Sequence, residues 1–463
     1  MGQPQPAQQP KDRRIRNFTE VSLGYSKAVS LTEARRCPQC AQPTCLDGCP
    51  LGIDIPGFIR LLREGDAVGA LNRIREANIL PGVCGRICMA PCESVCVFND
   101  DDASIGIRAL ERYAADNGRT RQAPKDRPSA PKNGKKVAVV GSGPSGLAAA
   151  AQLAQKGYTV TIFEGLPKPG GVLRYGIPEF RLPARVLDTE INDVMAMGVE
   201  IQTNVIVGQT LGVQDVMKGH DFMFLAVGCA SPKMVTISGE HLIGVHYAQE
   251  IMLHYNLWQG QNDPKSSGPS LLGDKVVVLG SGHAAMDCGR IALRLGKKAS
   301  VVFPGLEEEI GANPMERKNA VEEGLKFESL VRPLEIIATA ENLVKGVRCE
   351  RLDFVENPGE QWELKPVPGS EFLIEADTVI LAQETKPSEA LKRILPDLKW
   401  TPEGVLWVDP ETAQTSIERI FATGDVISGA GHLVDALASG KYAALAMDRY
   451  ISEAGNTEQP SKS

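Results

Sequence analysis

Eight of the eleven cysteines lie between Cys37 and Cys96, in two runs, Cys37-x2-Cys40-x4-Cys45-x3-Cys49 and Cys84-x3-Cys88-x3-Cys92-x3-Cys96, about 35 residues apart. A four-iron cubane takes four ligands, normally thiolates, and close spacing lets one loop wrap several irons, so two 4Fe-4S clusters fit. Zinc also accepts four-cysteine sites, but commonly through paired C-x2-C knuckles, and only Cys37 and Cys40 have that spacing. A scatter of buried, inert thiols is the third reading. Beyond the cysteines stands Gly141-Ser-Gly143-Pro144-Ser145-Gly146, behind the apolar run Val137 to Val140, with Glu164 about 20 residues further on. That spacing brings the backbone close to a pyrophosphate at a helix N-terminus and offers the acid to a ribose. A second pattern, Gly280-Ser-Gly282-His283-Ala284-Ala285, follows Lys275 to Leu279. Thiolate-bound iron beside two dinucleotide sites implies two-electron chemistry divided into single-electron steps.

These residues need particular elements to hold them. Lys135 to Val140, an Ala-rich helix to about Lys156 and Thr159 to Glu164 read as a βαβ unit, and the pattern repeats over residues 275 to 303. Glu335 to Phe354 and Trp362 to Ile374 read as β-rich, followed by the strand Thr378 to Ala382. The C-terminal run Ile420 to Gly429 reads as strand and turn before a helix from about Val434. Pro124, Pro128 and Pro131 among polar residues mark a linker. The expected fold is α/β: two Rossmann-like dinucleotide-binding domains, one inserted in the other, preceded by an α-helical iron-sulfur domain. Its boundaries are a disordered tail over 1–20, the helical domain over 21–122, the linker over 123–134, a FAD unit over 135–245 and 387–463, and a nicotinamide unit over 246–386.

Composition narrows the function. With 43% hydrophobic residues there is material for full cores, and no 18-residue apolar run offers a membrane span. A net charge of -7 and no basic stripe argue against nucleic acid. The polar, Pro/Gln-rich start does not resemble a secretory signal, so the cytoplasm is expected, where clustered cysteines are metal ligands rather than disulfides.

The motifs Arg36-Cys-Pro-Gln-Cys40, Gly48-Cys-Pro-Leu-Gly-Ile-Asp-Ile-Pro56, Cys84-Gly-Arg-Ile-Cys88 and Ile105-Gly-Ile-Arg-Ala-Leu-Glu111-Arg-Tyr113 resemble those of the glutamate synthase small-subunit family. That family includes a ferredoxin:NADP transhydrogenase large subunit, a sulfide dehydrogenase flavoprotein and the N-terminal part of dihydropyrimidine dehydrogenase. The resemblance implies interleaved ligands: Cys37, Cys40, Cys45 and Cys96 on one cluster, and Cys49, Cys88, Cys92 and Glu111 on the other, with Cys84 left over. It further implies that Pro169 to Pro183 runs along FAD, making Gly171, Leu173, Arg174 and Arg181 contacts, and that Gly424 and Asp425 hold the ribityl chain. The implied function is NAD(P)H-dependent electron transfer through FAD and two clusters to or from a redox partner subunit in a hetero-oligomer. A relay or assembly subunit with a degenerate nicotinamide site, and a stand-alone reductase of polysulfide or another small acceptor, are the alternatives.

Two departures from the family stand out. Where its members place an aromatic residue and two arginines against the 2′-phosphate of NADPH, this chain has Phe303-Pro304-Gly305 and then Leu-Glu-Glu-Glu309. A phosphate would meet carboxylates there, so NADH is favoured, unless Arg317 or Lys318 folds back to supply charge. Glu384 replaces the family's glycine where the nicotinamide unit returns to the flavin unit. No catalytic acid, base or nucleophile is expected, since hydride transfer needs none.

Overall fold

The computed structural model describes residues 2–99, 104–119, 130–233, 237–260, 271–311, 313–355 and 363–457. Most of the expected linker, residues 123–129, lies outside them, as does Trp362.

The cysteine-bearing region is helical. Its main helices are Lys27–Arg36, Ile55–Arg63, Ala67–Arg75, Pro81–Ile87 and Ile107–Asn117. Their starts follow from side-chain capping: Asp54 accepts from Gly57 N at 3.0 Å and Asp66 from Gly69 N at 2.8 Å, each cap contributing about 1 kcal/mol. Phe58, Ile59 and Leu62 from one helix and Leu71 and Ile74 from the next face inward with Leu110 and Ala114. Cys84 lies on the helix Pro81–Ile87 itself, and the other seven cysteines of this region lie in the segments that join or follow these helices.

The flavin unit is a five-stranded parallel sheet in the order Ile420–Ala422, Phe222–Leu225, Lys136–Val140, Thr159–Phe163, Glu200–Gln202. Both faces are covered, which is why its strands read as continuous apolar runs. The helix Pro144–Gln155 lies on one face and is itself covered by the C-terminal helix Leu433–Thr457. The nicotinamide unit repeats the plan, in the order Lys326–Glu328, Lys298–Val302, Lys275–Leu279, Thr378–Leu381, Val245–Tyr247, again parallel. Beside it lies an antiparallel sheet in which the long strand Val344–Val355 pairs with Val331–Ala338, Glu363–Pro366 and Phe372–Glu375. The inserted unit is entered and left through Ser231–Pro232 and Thr385–Lys386, which pair antiparallel. Glu384 lies on this double connector, and Lys233 donates to its carboxylate at 2.5 Å. The acid in the glycine's place is thus one half of an exposed ion pair between the two connecting segments.

One core runs without interruption from the cysteine region into one face of the flavin sheet, joining Phe58, Ile59 and Leu110 to Leu147, Leu153 and Leu437. The expected disordered tail differs from what is observed. Residues 2–20 are placed against two other units: Tyr25 Oη donates to Pro4 O at 2.6 Å, Arg14 is buried against Glu322 and Glu323, and Phe18 meets the Tyr255 ring at 4.6 Å. The composition looks unstructured, but its partners include Glu322, Glu323 and Tyr255, more than two hundred residues away. Among the described residues no helix is long and apolar enough to cross a membrane.

Candidate functional site

The cysteines separate into two groups that interleave along the chain. Cys45 faces Cys37, Cys96 and Cys40, while Cys92 faces Cys49, Glu111 and Cys88. The second group surrounds a small cavity lined by Cys49, Cys84, Cys88, Cys92, Glu111 and Asn78 among others. The structure thus brings together the same residues that the resemblance groups into two sets. Among the described residues no three His, Cys, Asp or Glu side chains converge closely enough to hold one ion. A single tetrahedral zinc needs such convergence at about 2.3 Å per sulfur. Thiols spread around a cavity suit a cubane, whose ligands bind different irons.

Backbone amides are already aimed at the sulfurs. Leu51, Gly52 and Ile53 donate to Cys49, Gln39 to Cys37, and Ala90 N to Cys88 Sγ at 3.3 Å. Gln39 and Ala90 reach these positions with φ of 54° and 56°, strained values for side-chain-bearing residues that surrounding structure must hold in place. Burial, more than mutual repulsion, pushes the Cys45 thiol up to about 11; burial also pushes Cys88 to about 12. Thiolates so disfavoured need a compensating cation, which cluster irons supply. Glu111 is raised to about 8 by burial, against the hydrogen bond from Asn78 Nδ2 to its Oε1 at 2.8 Å.

At the flavin site three distant segments converge on the first fingerprint. Gly141 and Gly143 lead into the helix that Pro144, Ser145 and Gly146 open. A Cβ on Gly171, whose φ is +52°, would lie 2.7 Å from Gly143 Cα, and one on Gly424, at φ +76°, would lie 2.3 Å from Ser145 Oγ. Only glycine permits either approach. No chain atom lies within 4 Å of a Cβ built on Gly143, so that face is open to a ligand. Glu164 accepts from Ser142 N at 3.0 Å and from Leu166 N at 2.9 Å. Asp425 opens a short helix beside this turn, and burial raises its carboxyl. Leu173 is buried nearby. These residues would hold a dinucleotide, and the open face at Gly143 would leave room for its pyrophosphate.

The two arginines expected to touch FAD each have protein partners. Arg174 donates to Pro169 O at 2.6 Å and pairs with Asp188. Arg181 bridges the two dinucleotide units, with Asp287 at 2.5 Å and Glu316 at 2.8 Å. Burial works against ionised Glu316, but Arg181 and His283 outweigh it and hold the carboxyl at about 2. A buried guanidinium takes the nearest carboxylate, and Asp287 and Glu316 are more than a hundred residues from it, outside any local motif.

The second fingerprint has the same form. Gly280 and Gly282 precede the helix His283–Arg294, a Cβ on Gly282 would meet nothing within 4 Å, and Ala285 is buried against the sheet. Ala284 lies beside it, and His283 Nδ1 is 3.6 Å from Glu316. Past the next strand, Glu309 accepts from Leu306 N at 2.8 Å, and Arg317 Nη1 donates to Glu307 O at 2.5 Å. Arg317 does fold back toward the acidic turn, while Lys318 is exposed. Sequence reasoning missed Asn78, which is fully buried and joins Glu111 to the chain, and left Cys84 without a place. The i, i+4 spacing of Cys84 and Cys88, which puts both on one helix face, was the available signal.

Comparison with known proteins agrees with this arrangement. Residues 14–123 match the family described as dihydropyrimidine dehydrogenase domain II, 4Fe-4S cluster, and residues 135–440 match pyridine nucleotide-disulphide oxidoreductase. The chain is 32% identical to the glutamate synthase [NADPH] small chain of Escherichia coli, with 95% of each covered. It is 35% identical to the NADP(+)-dependent formate dehydrogenase subunit beta of Moorella thermoacetica, over 88% of this chain but 60% of that one. It is 32% identical to the NADPH-Fe(3+) oxidoreductase subunit beta of Geobacter sulfurreducens, over 95% and 68%. Among solved structures FprA of Mycobacterium tuberculosis shares the fold, at TM-score 0.55 and 19% identity, over 71% of this chain and 86% of that one. With its helical cysteine domain joined to paired dinucleotide units, the chain belongs to the pyridine nucleotide-disulphide oxidoreductases, in the glutamate synthase small-chain branch of FAD and iron-sulfur enzymes.

Proposed function

We propose that this chain exchanges electrons between a nicotinamide, NADH in preference to NADPH, and a redox partner subunit that meets it at the outer cysteine group. Bound in the sites described, FAD supplies the conversion between hydride and single electrons, and two 4Fe-4S clusters supply single-electron carriers. The chain's own part is placement. The observation that carries this reading is the helix Leu433–Thr457. It begins just after the Asp425 turn, puts Val434 into the lining of the Glu111 cavity, and lets Lys441 Nζ donate to Leu51 O at 2.8 Å. One rigid element therefore touches both the flavin pocket and the inner cluster site. The outer group, Cys37, Cys40, Cys45 and Cys96, is only half buried, and Val95, Val97 and Phe98 beside it are 44%, 51% and 40% exposed. Relatives named as subunits make a partner at this end the economical reading.

The preference for NADH rests on Glu307, Glu308 and Glu309, which follow the strand that ends at Val302. The relatives cited carry NADPH or NADP(+) in their names. In this chain Arg317 is engaged by a carbonyl and three carboxylates stand nearby, so a 2′-phosphate is repelled more than it is held. Anaerobic mixing of purified protein with each nucleotide tests both parts. Bleaching of the flavin absorbance followed by a reduced-cluster EPR signal is expected, faster with NADH. Flavin that stays oxidised with both nucleotides would overturn the proposal in favour of a relay subunit. Gly305→Arg should move the rate ratio toward NADPH by about tenfold, since a charge-assisted contact is worth roughly 1.5–3 kcal/mol; an unchanged ratio refutes the pocket.

A further inference from the structure

The inner cavity holds one more ligand than a cubane uses. Cys49, Cys88, Cys92 and Glu111 complete a four-iron site, yet Cys84 lines the same cavity and is only 2% exposed. It sits on the helix Pro81–Ile87, one turn before Cys88, whose N–H donates to the Cys84 carbonyl at 3.0 Å. Side chains four apart on a helix stand one above the other on a single face. Cys84 is therefore beside a ligand, not behind it. Asn78, with no exposed surface, ties Glu111 and Cys84 together: its Nδ2 donates to Glu111 Oε1 at 2.8 Å, its side chain hydrogen-bonds the Cys84 thiol, and its Oδ1 is fixed by Leu80 N at 2.9 Å.

We propose that Cys84 is a reserve ligand: the fourth iron of the inner cluster is held by Glu111 and passes to the Cys84 sulfur when the carboxylate lets go. Iron in these clusters prefers the softer thiolate, whereas a carboxylate is the weaker and more readily released donor. The exchange balances without an outside reactant. The Fe–Oε bond to Glu111 breaks, the Fe–Sγ bond to Cys84 forms, the thiol proton passes to the freed carboxylate, and no electron is transferred. The anchored Asn78 keeps both groups at the cavity wall in either state. This assignment rests on the iron-sulfur reading of the cavity, but its test does not use nicotinamide turnover, so the two can fail separately.

The experiment is EPR spectroscopy and iron analysis of anaerobically purified full-length protein carrying Cys84→Ser, Glu111→Ala or both. Cys84→Ser should keep the wild-type spectrum and full iron content. Glu111→Ala should keep four irons in the inner cluster with an altered reduced-state spectrum, because a sulfur has replaced an oxygen. The double variant should lose one iron from that cluster and show the oxidised three-iron signal. A three-iron signal from Glu111→Ala alone would overturn the reserve role. The same signal from Cys84→Ser alone would make Cys84 the resident ligand and overturn it too, as would a double variant with full iron. If Glu111→Ala is not recovered folded, Glu111→Leu, which fills the cavity and cannot bind iron, takes its place in the same comparison.

Discussion

Single residues decide access to the two dinucleotide sites. Gly143 has extended backbone, at φ -65° and ψ 179°, and open space where a side chain would project. A β-branched residue is therefore tolerated by the apoprotein and fills the place of a pyrophosphate. Gly143→Val should give a protein that folds with unchanged secondary structure by circular dichroism but purifies colourless in the flavin region; retained stoichiometric FAD would refute the placement. Much at this scale was legible in the sequence, because each fingerprint carries its function in consecutive residues: glycines, helix start and Glu164 all fall within about two dozen positions. The protein partners of Arg174 and Arg181 were not legible. Their chemistry suits phosphate as well as carboxylate, and only the fold reveals that Asp188, Asp287 and Glu316 lie against them.

At the scale of elements, the helix Pro314–Glu323 is the clasp of the nicotinamide unit. Its last residue, Glu323, is fully buried and takes Arg290 bidentately at 2.9 Å, Arg294 at 2.7 Å and Arg14 at 3.1 Å. Arg290 and Arg294 also lie over the Phe180 ring, 4.6 and 4.0 Å from its centroid, so the clasp reaches the flavin-side loop. Burial raises the Glu323 carboxyl, but hydrogen bonds and charge from Arg290 and Arg294 bring it down to about 2 from an ordinary 4.5. A folded pKa below the unfolded value contributes stability that is complete above about pH 4.5 and lost as pH falls through about 2. Glu323→Gln should cost about 3–5 kcal/mol at neutral pH by leaving buried guanidinium groups unpaired. Denaturant titrations of wild type and variant should converge over that acid window; parallel curves down to pH 2 would remove Glu323 from the account. The strands and helices around this clasp could be read from apolar runs and glycine turns, whereas the clasp itself joins residues about three hundred positions apart.

For the whole molecule, the N-terminal segment settles whether three units behave as one. On one side Glu20 pairs with Arg86 and Arg112 at 2.8 Å each, holding the cysteine domain. On the other, Arg294 donates to Asn17 O at 3.1 Å, Arg14 enters the Glu323 clasp, and Phe18 caps Tyr255. Between them Val21 N donates to Phe180 O at 2.9 Å on the flavin-side loop. The segment is thus a strap from the iron-sulfur end to the nicotinamide end, and no composition rule reveals it, because the partners of its few apolar and charged residues lie far along the chain. The cysteine domain and flavin unit share a continuous core and should unfold together, whereas the nicotinamide unit has its own. Removing residues 2–20 should therefore split a single calorimetric transition into two, the earlier one belonging to the nicotinamide unit and rising when NADH is added, since a ligand stabilises the unit that binds it. A deletion variant that still melts in one step would mean that the double connector at Ser231–Pro232 and Thr385–Lys386, with the Arg181 bridge, couples the units without the strap.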